Sequence, residues 1–270
     1  MAEQIEQKNK AAVTDEKDQS SRHVPFAVVE AYKTIRTNLS FLHTASESKT
    51  IVFSSPDMGD GKSTTSVNVA IAFAQLGKKT LIIDADLRRS SIHKKLKIDS
   101  KPGLSNVLAG MLTLDEAVKR TSITLDVLTA GQTPPNPSEM LGSAKFAQLI
   151  EEAEQKYDHI IIDTPPINIV SDALIVGGIT NGIVLVIREG LTTTDAVDHA
   201  VSAAEFANID ILGVVINGVN SRKGRYGYTK RYRKYGYKYG YKYGYRYGYR
   251  YGRYGSNYES KPNLPGNGQQ

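Results

Sequence analysis

The feature that most constrains the fold is a hydrophobic, strand-like run that a short glycine-containing loop joins to a helical pattern. The run TIVFSS (50–55) leads into the loop SSPDMGDGKSTT (54–65), and TTSVNVAIAFAQLG (64–77) continues with apolar residues at helical spacing. The helical pattern ends at a glycine followed by two lysines, which is a typical C-terminal signal. The loop therefore lies between the carboxyl end of a strand and the amino end of a helix.

The loop carries residues that suit phosphate groups. Gly59, Gly61, Lys62 and Ser63 match the end of the pattern G-x-x-x-x-G-K-[ST], and Pro56 replaces its first glycine. Glycines let backbone N–H groups converge on phosphate oxygens, and the amino end of the helix adds its dipole. We therefore predict that Lys62 contacts the β- and γ-phosphates of a nucleotide and that the Ser63 hydroxyl binds Mg²⁺. The alternative is a glycine turn before a helix, with an unrelated lysine.

Strand and helix patterns alternate along the chain up to about residue 220. A helix is predicted over 26–44, ahead of the first strand. The further strands are TLIIDAD (80–86), LDVLTAG (125–131), HIIIDTPP (159–166), NGIVLVIREG (181–190) and ILGVVINGV (211–219). This alternation predicts an α/β fold, with a doubly wound, mainly parallel sheet and helices on both faces. We assign 1–24 to a disordered leader, 25–220 to this domain and 221–270 to a disordered tail.

Two of the predicted strands end in acidic residues. Asp84 and Asp86 close the second strand, and Asp163 follows three isoleucines in the strand HIIIDTPP. Acids in these positions lie at the carboxyl edge of the sheet, where doubly wound folds bind their ligands. Together with the glycine loop, they predict a nucleotide site that also holds Mg²⁺. A single such acid could instead be a strand terminator that faces water.

Charge divides the chain into two parts. Residues 221–270 hold 13 Lys and Arg and one acid, for a net charge of +12, whereas the first 220 residues hold 21 Lys and Arg and 27 Asp and Glu, for −6. The chain has no cysteine, which excludes thiol chemistry and favours a reducing compartment. No apolar run reaches the roughly 18 residues of a membrane span.

The basic tail is also rich in tyrosine. Tyrosine occupies every odd position from 235 to 251, and 14 of the 16 tyrosines of the chain lie in this tail. They are Tyr226, Tyr228, Tyr232, Tyr235, Tyr237, Tyr239, Tyr241, Tyr243, Tyr245, Tyr247, Tyr249, Tyr251, Tyr254 and Tyr258. An extended chain places the alternating rings on one face and Gly, Lys and Arg on the other. The tail alone allows three interpretations: a nucleic-acid-binding arm, an adhesive structural segment, or an array of phosphate acceptors.

Taken together, these segments resemble the P-loop ATPases with a deviant Walker A motif, and within them the bacterial tyrosine autokinases of capsule and exopolysaccharide systems. The resemblance runs from about residue 26 to 220 and extends to the tyrosine-rich C-terminus. Its motifs are EAYKTIRTNLSF, the glycine loop, LIIDADLRRSSIHKKL, GLSNVLAG, PPNPSEMLGSAKF and YDHIIIDTPP. It implies transfer of the γ-phosphate of ATP to tail tyrosines of neighbouring subunits, so nucleic acid is not expected as a partner.

The resemblance assigns roles to individual residues. Those expected to bind ATP are Gly59, Asp60, Gly61, Lys62, Ser63, Thr64 and Asn217. Ser63 and Asp86 would hold Mg²⁺, and Asp163 would lie behind the ion and act through water. Because a phenol has a pKa of about 10, the acceptor benefits from a carboxylate that takes its proton. Asp84 is the first candidate for this base and Asp86 is the second.

Two further residues leave an alternative open. Arg88 could help by its charge or form only a surface ion pair. Asn217 ends a strand, where it could face the adenine or serve as a plain turn residue.

The resemblance also implies partners. It predicts a ring-like homo-oligomer through the first helix, where Glu30, Lys33 and Arg36 replace the usual E-x-x-R-x-x-R. Lysine lacks the bidentate contact of arginine, so a weaker or rearranged interface is expected, whereas the residues alone indicate a solvated helix face. A transmembrane activator or chain-length protein and a cognate tyrosine phosphatase are implied as well. The expected location is cytoplasmic, at the inner membrane face, through the membrane partner.

The rival class is a non-kinase switch ATPase that resembles the Min and Par partitioning proteins. Those proteins carry a lysine at the start of their glycine loop, where this chain has Asp57. A switch ATPase with a tail that binds nucleic acid or a membrane is the remaining alternative.

Overall fold

The computed structural model of the chain describes residues 25–41 and 49–219. The chain divides into two units, Met1–Val219 and Asn220–Gln270, and every described residue lies in the first unit. The predicted disordered leader and the predicted disordered tail, with its fourteen tyrosines, lie outside the described residues.

One sheet of seven strands forms the centre of the described part. The strands are β1 (Lys49–Ser54), β2 (Thr80–Asp84), β3 (Lys119–Arg120), β4 (Asp126–Leu128), β5 (His159–Asp163), β6 (Ile183–Arg188) and β7 (Ile211–Asn217), and their order across the sheet is β3-β4-β2-β5-β1-β6-β7. All neighbouring strands pair in parallel except β3 and β4, which are antiparallel. The predicted, mainly parallel sheet is confirmed.

Nine helices surround this sheet within the described residues. They are α1 (Phe26–Ser40), α2 (Lys62–Ala74), α3 (Ile92–Leu96), α4 (Leu104–Leu108), α5 (Leu114–Ala117), α6 (Pro137–Leu141), α7 (Ala144–Glu154), α8 (Asp172–Gly177) and α9 (Thr194–Phe206). One hydrophobic core lies between the sheet and α1 to α3, and a second lies between the sheet and α4 to α9. The sheet is therefore covered on both faces, as predicted.

The two central strands show why this layering follows from the sequence. Every residue of β2 and of β5 is buried. A parallel strand with helices on both faces needs apolar side chains on both, which is why LII and III form continuous runs. Their register sets Asp84 opposite Asp163 at the carboxyl edge, which is the edge that the glycine loop also reaches.

The structure corrects several boundaries. Helix α1 ends at Ser40 rather than at residue 44, and residues 42–48 lie outside the described part. The strand predicted over 80–86 ends at Asp84. The antiparallel strand β3 has two residues and was not predicted. Within the described residues no helix is long and apolar enough to cross a membrane.

His159 gives the fold a pH dependence that can be measured. Its ring is buried at the start of β5, with its centroid 3.9 Å from that of Phe73, and burial lowers its pKa from 6.5 to about 4. Below pH 6.5 the unfolded chain therefore takes up a proton that the folded chain refuses. His159 by itself therefore lowers the free energy of unfolding as the pH falls from 6.5 to about 4, whereas the raised pKa values of the buried carboxyls of Asp84 and Asp163 act in the opposite direction.

Urea denaturation across this pH range tests the expectation. His159→Phe should remove the contribution of the histidine, so that the free energy of unfolding of this variant falls less, or rises more, than that of wild type as the pH falls, while the non-titrating ring still packs against Phe73. The control is His199→Gln, at an exposed histidine of α9, which should keep the wild-type slope. Equal slopes for wild type and His159→Phe would contradict the assignment.

Candidate active site

The glycine loop forms a tight turn between β1 and α2. Gly59 and Gly61 have φ values of +92° and +95°, which side chains rarely adopt, so glycine is required there. Helix α2 begins at Lys62, and the N–H of Thr65 donates to the carbonyl of Gly61 at 2.9 Å. The turn therefore directs the first helical residues and their N–H groups at one point, as phosphate binding requires.

Two polar side chains hold this turn from behind. The amide of Asn217 donates to the Asp60 carbonyl and to Thr65 Oγ1, both at 3.0 Å. The buried carboxylate of Asp60 accepts from Thr192 Oγ1 at 2.8 Å and from the N–H of Asp57 at 3.3 Å. The side chains of Asp60 and Asn217 thus shape the loop, and they are not among the residues that line the cavity in front of it.

The three predicted acids differ in their surroundings. Asp84 is fully buried, and its Oδ2 accepts the N–H groups of Ser91 and Ile92, each at 3.1 Å. Burial, reinforced by the charge of Asp163, raises the pKa of Asp84 to about 7. Asp84 therefore anchors the segment after β2, whereas Asp86 lies on the cavity wall.

Lys62 connects the loop to the acids. Its Nζ lies 3.2 Å from Asp86 Oδ2, 3.8 Å from Asp163 Oδ2 and 3.2 Å from the Ser63 hydroxyl. Both oxygens of Asp163 are buried and have no hydrogen-bond partner among the described residues. Burial raises the pKa of Asp163, and the charge of Lys62 opposes that shift.

This arrangement suits a magnesium ion that arrives with a nucleotide. The ammonium of Lys62 contacts the three oxygen donors that the sequence assigned to Mg²⁺, so a cation is already favoured at that point. The described residues contain no cluster of three or more His, Cys, Asp or Glu that could hold a metal without other ligands. Mg²⁺ commonly takes one or two carboxylates and completes its shell with water and substrate phosphates.

A cavity of about 380 Å³ lies in front of the loop. The residues that line it are Met58, Gly59, Gly61, Lys62, Ser63, Thr64, Asp86, Arg88, Arg89, Lys95, Pro165, Pro166, Ile169 and Val170. The structure thus brings together five predicted nucleotide-binding residues with Asp86. The other two, Asp60 and Asn217, hold the loop from behind.

Two basic residues of the cavity were missed by the sequence analysis. Lys95 Nζ donates to Thr64 Oγ1 at 2.9 Å, and the N–H of Arg89 donates to Asp86 Oδ1 at 2.8 Å. Both belong to LIIDADLRRSSIHKKL, a motif that the resemblance had already singled out. Lys95 lies in a helix of only five residues and Arg89 lies in the irregular segment before it, so no periodic pattern placed either residue at the cavity.

Arg88, for which the sequence left two interpretations open, lines the cavity and also forms an ion pair. Its Nε lies 3.3 Å from the fully buried carboxylate of Asp172, and its Nη2 donates to Ser138 Oγ at 2.8 Å. Ser138 in turn donates to Asp172 Oδ1 at 2.6 Å. Arg88 is therefore a cavity residue that two distant segments hold in place, rather than a surface ion pair alone.

The candidate interface residues make contacts within the chain. Lys33 Nζ lies 2.7 Å from Glu30 Oε1, one turn away in α1. Arg36 Nη1 donates to the carbonyl of Ala72 in α2 at 3.2 Å. The Arg36 contact connects α1 to α2, the ion pair lies within α1, and the role of the three residues between subunits stays a prediction.

Comparison with known proteins agrees with this fold and site. A family profile described as AAA domain matches residues 48–189. The septum site-determining protein MinD of Pyrococcus horikoshii OT3, solved as a complex with Mg-ADP, has a TM-score of 0.55 at 24% identity, and the match covers 65% of this chain and 73% of that one. At this identity the likeness concerns the fold alone. The fold and the loop define the class of P-loop ATPases.

Proteins with higher sequence identity identify a family within this class. The tyrosine-protein kinase YwqD of Bacillus subtilis (strain 168) is 40% identical over 224 residues, which cover 82% of this chain and 91% of YwqD. The kinase domain of the Escherichia coli tyrosine kinase ETK has a TM-score of 0.70 at 33% identity, over 87% of this chain and 89% of that one. The chain belongs to the bacterial tyrosine-protein kinase family, and the resemblance seen in the sequence is confirmed.

Gly61 offers a direct test of the nucleotide site. A Cβ at this position would lie 2.5 Å from Asn217 Nδ2, whereas a Cβ at Gly77, which also has a positive φ, would meet nothing within 4 Å. Both Gly61→Ala and Gly77→Ala should lose about 1–2 kcal/mol of stability from backbone strain.

Only Gly61→Ala should also weaken binding of ADP and Mg²⁺, by at least about tenfold, since it displaces Asn217 from the loop. Isothermal titration calorimetry measures the affinity, and thermal melts measure the shared strain. Equal affinities for the two variants would show that Asn217 does not shape the site.

Proposed function

We propose that the protein is an ATP-dependent tyrosine autokinase that transfers the γ-phosphate of ATP to tail tyrosines of a neighbouring subunit. The observation that carries the proposal is the cluster of Lys62, Ser63 and Asp86 at the cavity, with the buried Asp163 3.8 Å from Lys62 Nζ, in a chain whose tail holds fourteen tyrosines. The tyrosine kinases among the similar proteins support it. Named relatives such as CapB and CpsD agree with a role in capsule or exopolysaccharide synthesis, polymerisation or export.

The residues of the site would act mainly by position and charge. Phosphoryl transfer has a loose transition state, so catalysis depends on alignment and charge neutralisation. Lys62 and the first N–H groups of α2 would bind the phosphates, and Thr64 would steady the α-phosphate. Ser63 and Asp86 would hold Mg²⁺, with Asp163 behind them. A bound Mg²⁺ would supply positive charge that stabilises the phosphate oxygens during the transfer.

The geometry favours Asp86 over Asp84 as the base. Asp86 lies on the cavity wall, where a phenol can approach it. Asp84 is fully buried and is not among the residues that line the cavity, so a phenol in the cavity does not meet it. In the proposed step the phenol oxygen bonds to the γ-phosphorus, the bond from that phosphorus to the β,γ-bridging oxygen breaks, ADP leaves, and the phenol proton passes to Asp86.

The proposed function also includes three partners: further copies of the chain, a membrane activator and a phosphatase. Transfer between subunits requires a homo-oligomer, for which Glu30, Lys33 and Arg36 on α1 are the candidate contact residues. A transmembrane activator would keep the kinase at the inner membrane face, and a cognate phosphatase would reverse the reaction.

Two full-length variants test transfer between subunits. The first, the tail-alanine chain, has alanine at all fourteen tail tyrosines and can act only as a kinase. The second, Lys62→Met, should lose at least about 100-fold in rate, because it removes a charge that stabilises the transition state. It can therefore act only as an acceptor.

Each variant alone should form almost no phosphotyrosine, whereas their mixture with ATP and Mg²⁺ should place phosphate on the Lys62→Met tail. Phosphotyrosine mass spectrometry detects the product, with the activator's cytoplasmic segment added if turnover is slow. ATP hydrolysis without phosphotyrosine in wild type and in the mixture would point instead to a switch ATPase.

Phosphorylation should also change the assembly. Each phosphate adds about −1.5 to −2 charges at neutral pH, so roughly six to eight phosphates cancel the charge of the tail. We expect the basic tail to be attracted to acidic surfaces, including the body of neighbouring subunits, and phosphorylation to weaken that attraction. Light scattering after size-exclusion chromatography should show a lower mass for phosphorylated wild type than for Lys62→Met. An unchanged mass would contradict this account.

A further inference from the structure

The cavity in front of the glycine loop has two chemically different walls. The loop, Asp86 and three basic side chains form one wall. The other wall is apolar and comes from the loop after β5, together with Met58 of the glycine loop, whose sulfur accepts a hydrogen bond from Arg89 Nη1 at 3.2 Å. We call this wall the apolar rim and define it as Met58, Pro165, Pro166, Ile169 and Val170.

The apolar rim is open to solvent at Met58 and Ile169, whereas Pro165 and Pro166 are buried. Met58 is 55% exposed and Ile169 is 49% exposed, although both carry large hydrophobic side chains. A triphosphate and its metal ion gain nothing from such a wall. Exposed apolar side chains grouped at the mouth of a site are typical of a surface that binds an apolar part of a ligand.

We propose that the apolar rim binds the aromatic rings of the tail of a second copy of this chain, both the acceptor tyrosine and a tyrosine two residues away. The proposal rests on the proposed kinase function and adds the part of the site that selects the acceptor. It commits to the tail as occupant because the tail is the one segment of the sequence in which tyrosines alternate.

The spacing of the tail fits this arrangement. In an extended chain, side chains two residues apart lie on the same face, separated by about 6.6 Å. One tyrosine can therefore enter the cavity while its neighbour covers the apolar rim. The rings bring hydrophobic area, and the glycines between them let the backbone approach closely.

Charge favours the same orientation. The polar wall includes Arg88, Arg89 and Lys95, which would repel the Lys and Arg residues of the tail. Because the tail alternates, the face that presents the rings to the site turns its basic side chains away from these three residues. A basic segment without alternation could not separate the two kinds of side chain in this way.

The first test measures binding without phosphate transfer. A fluorescently labelled peptide of residues 235–252 is titrated with the full-length tail-alanine chain in the presence of ADP and Mg²⁺. Ile169→Ser in that chain should raise the Kd of the peptide about five- to tenfold, and Ile169→Met should restore it, because methionine is also large and apolar.

The matched control is Ile179→Ser, since Ile179 is 42% exposed and does not line the cavity. It should leave the Kd of the peptide within about twofold of its parent. Both variants should keep the parent's melting temperature, because each changes an exposed side chain, and this shows that the domain is folded. An unchanged Kd for Ile169→Ser, or an equal loss for Ile179→Ser, would overturn the proposal.

The second test uses differences within the tail itself. Tyr232, Tyr254 and Tyr258 have no tyrosine two residues away on either side, whereas every tyrosine from Tyr237 to Tyr249 has one on both sides. The three isolated tyrosines should be phosphorylated about two- to tenfold more slowly in a mass-spectrometric time course of wild type. Equal rates would overturn the role of the neighbouring ring.

These tests separate the inference from the function on which it rests. If wild type forms no phosphotyrosine, the proposed kinase function fails, and the peptide titration still decides whether the apolar rim binds the tail. If phosphotyrosine forms but Ile169→Ser binds the peptide with the same Kd as its parent, the kinase function stands and only the proposed role of the apolar rim is wrong.

Discussion

The geometry and the charge balance of the site depend on the ammonium group of Lys62. It lies beside Asp86, Asp163 and the Ser63 hydroxyl, at the edge of the sheet where the glycine loop ends. A fully buried carboxylate is costly unless a positive charge compensates it, and Asp163 has no hydrogen-bond partner in the described part of the chain. The same need for positive charge makes the position suitable for Mg²⁺ bound to a nucleotide. A single electrostatic requirement thus explains the geometry around Lys62 and the chemistry proposed for it.

The parallel sheet makes this contact possible. β2 and β5 are neighbours in register, so the acids that follow their apolar runs meet at one edge, and α2 delivers Lys62 to that edge as its first residue. Side chains behind the loop, above all Asn217, keep the turn in place. The apolar rim then gives the cavity a second wall with a different chemistry. The fold supplies the phosphate site, which it shares with P-loop ATPases, and the loop after β5 supplies the surface proposed to select tyrosine.

Much of this could be predicted from the sequence because the main signals are local. The continuous apolar runs of β2 and β5 indicated buried parallel strands, and the glycine loop between a strand and a helix indicated the phosphate site. The two-residue strand β3 was missed because so short a pairing leaves no periodic pattern. The sequence also did not show that Asp84 is buried while Asp86 lies on the cavity wall. It depends on the strand ending at Asp84 and on the N–H groups of Ser91 and Ile92, which only the folded chain brings to that carboxylate.

Contacts between distant segments were equally invisible in the sequence. Arg88 is held by Asp172, which lies 84 residues away along the chain. The apolar rim belongs to a loop without periodicity, so no pattern marked it as a binding surface.

The most direct test of the central claim is a crystal structure of the chain with Mg²⁺ and a non-hydrolysable ATP analogue. The account predicts a metal ion bound by Ser63 and Asp86, with Lys62 moved from the carboxylates to the phosphate oxygens. A structure in which Lys62 keeps its contact with Asp86 while the nucleotide and metal bind elsewhere would contradict it.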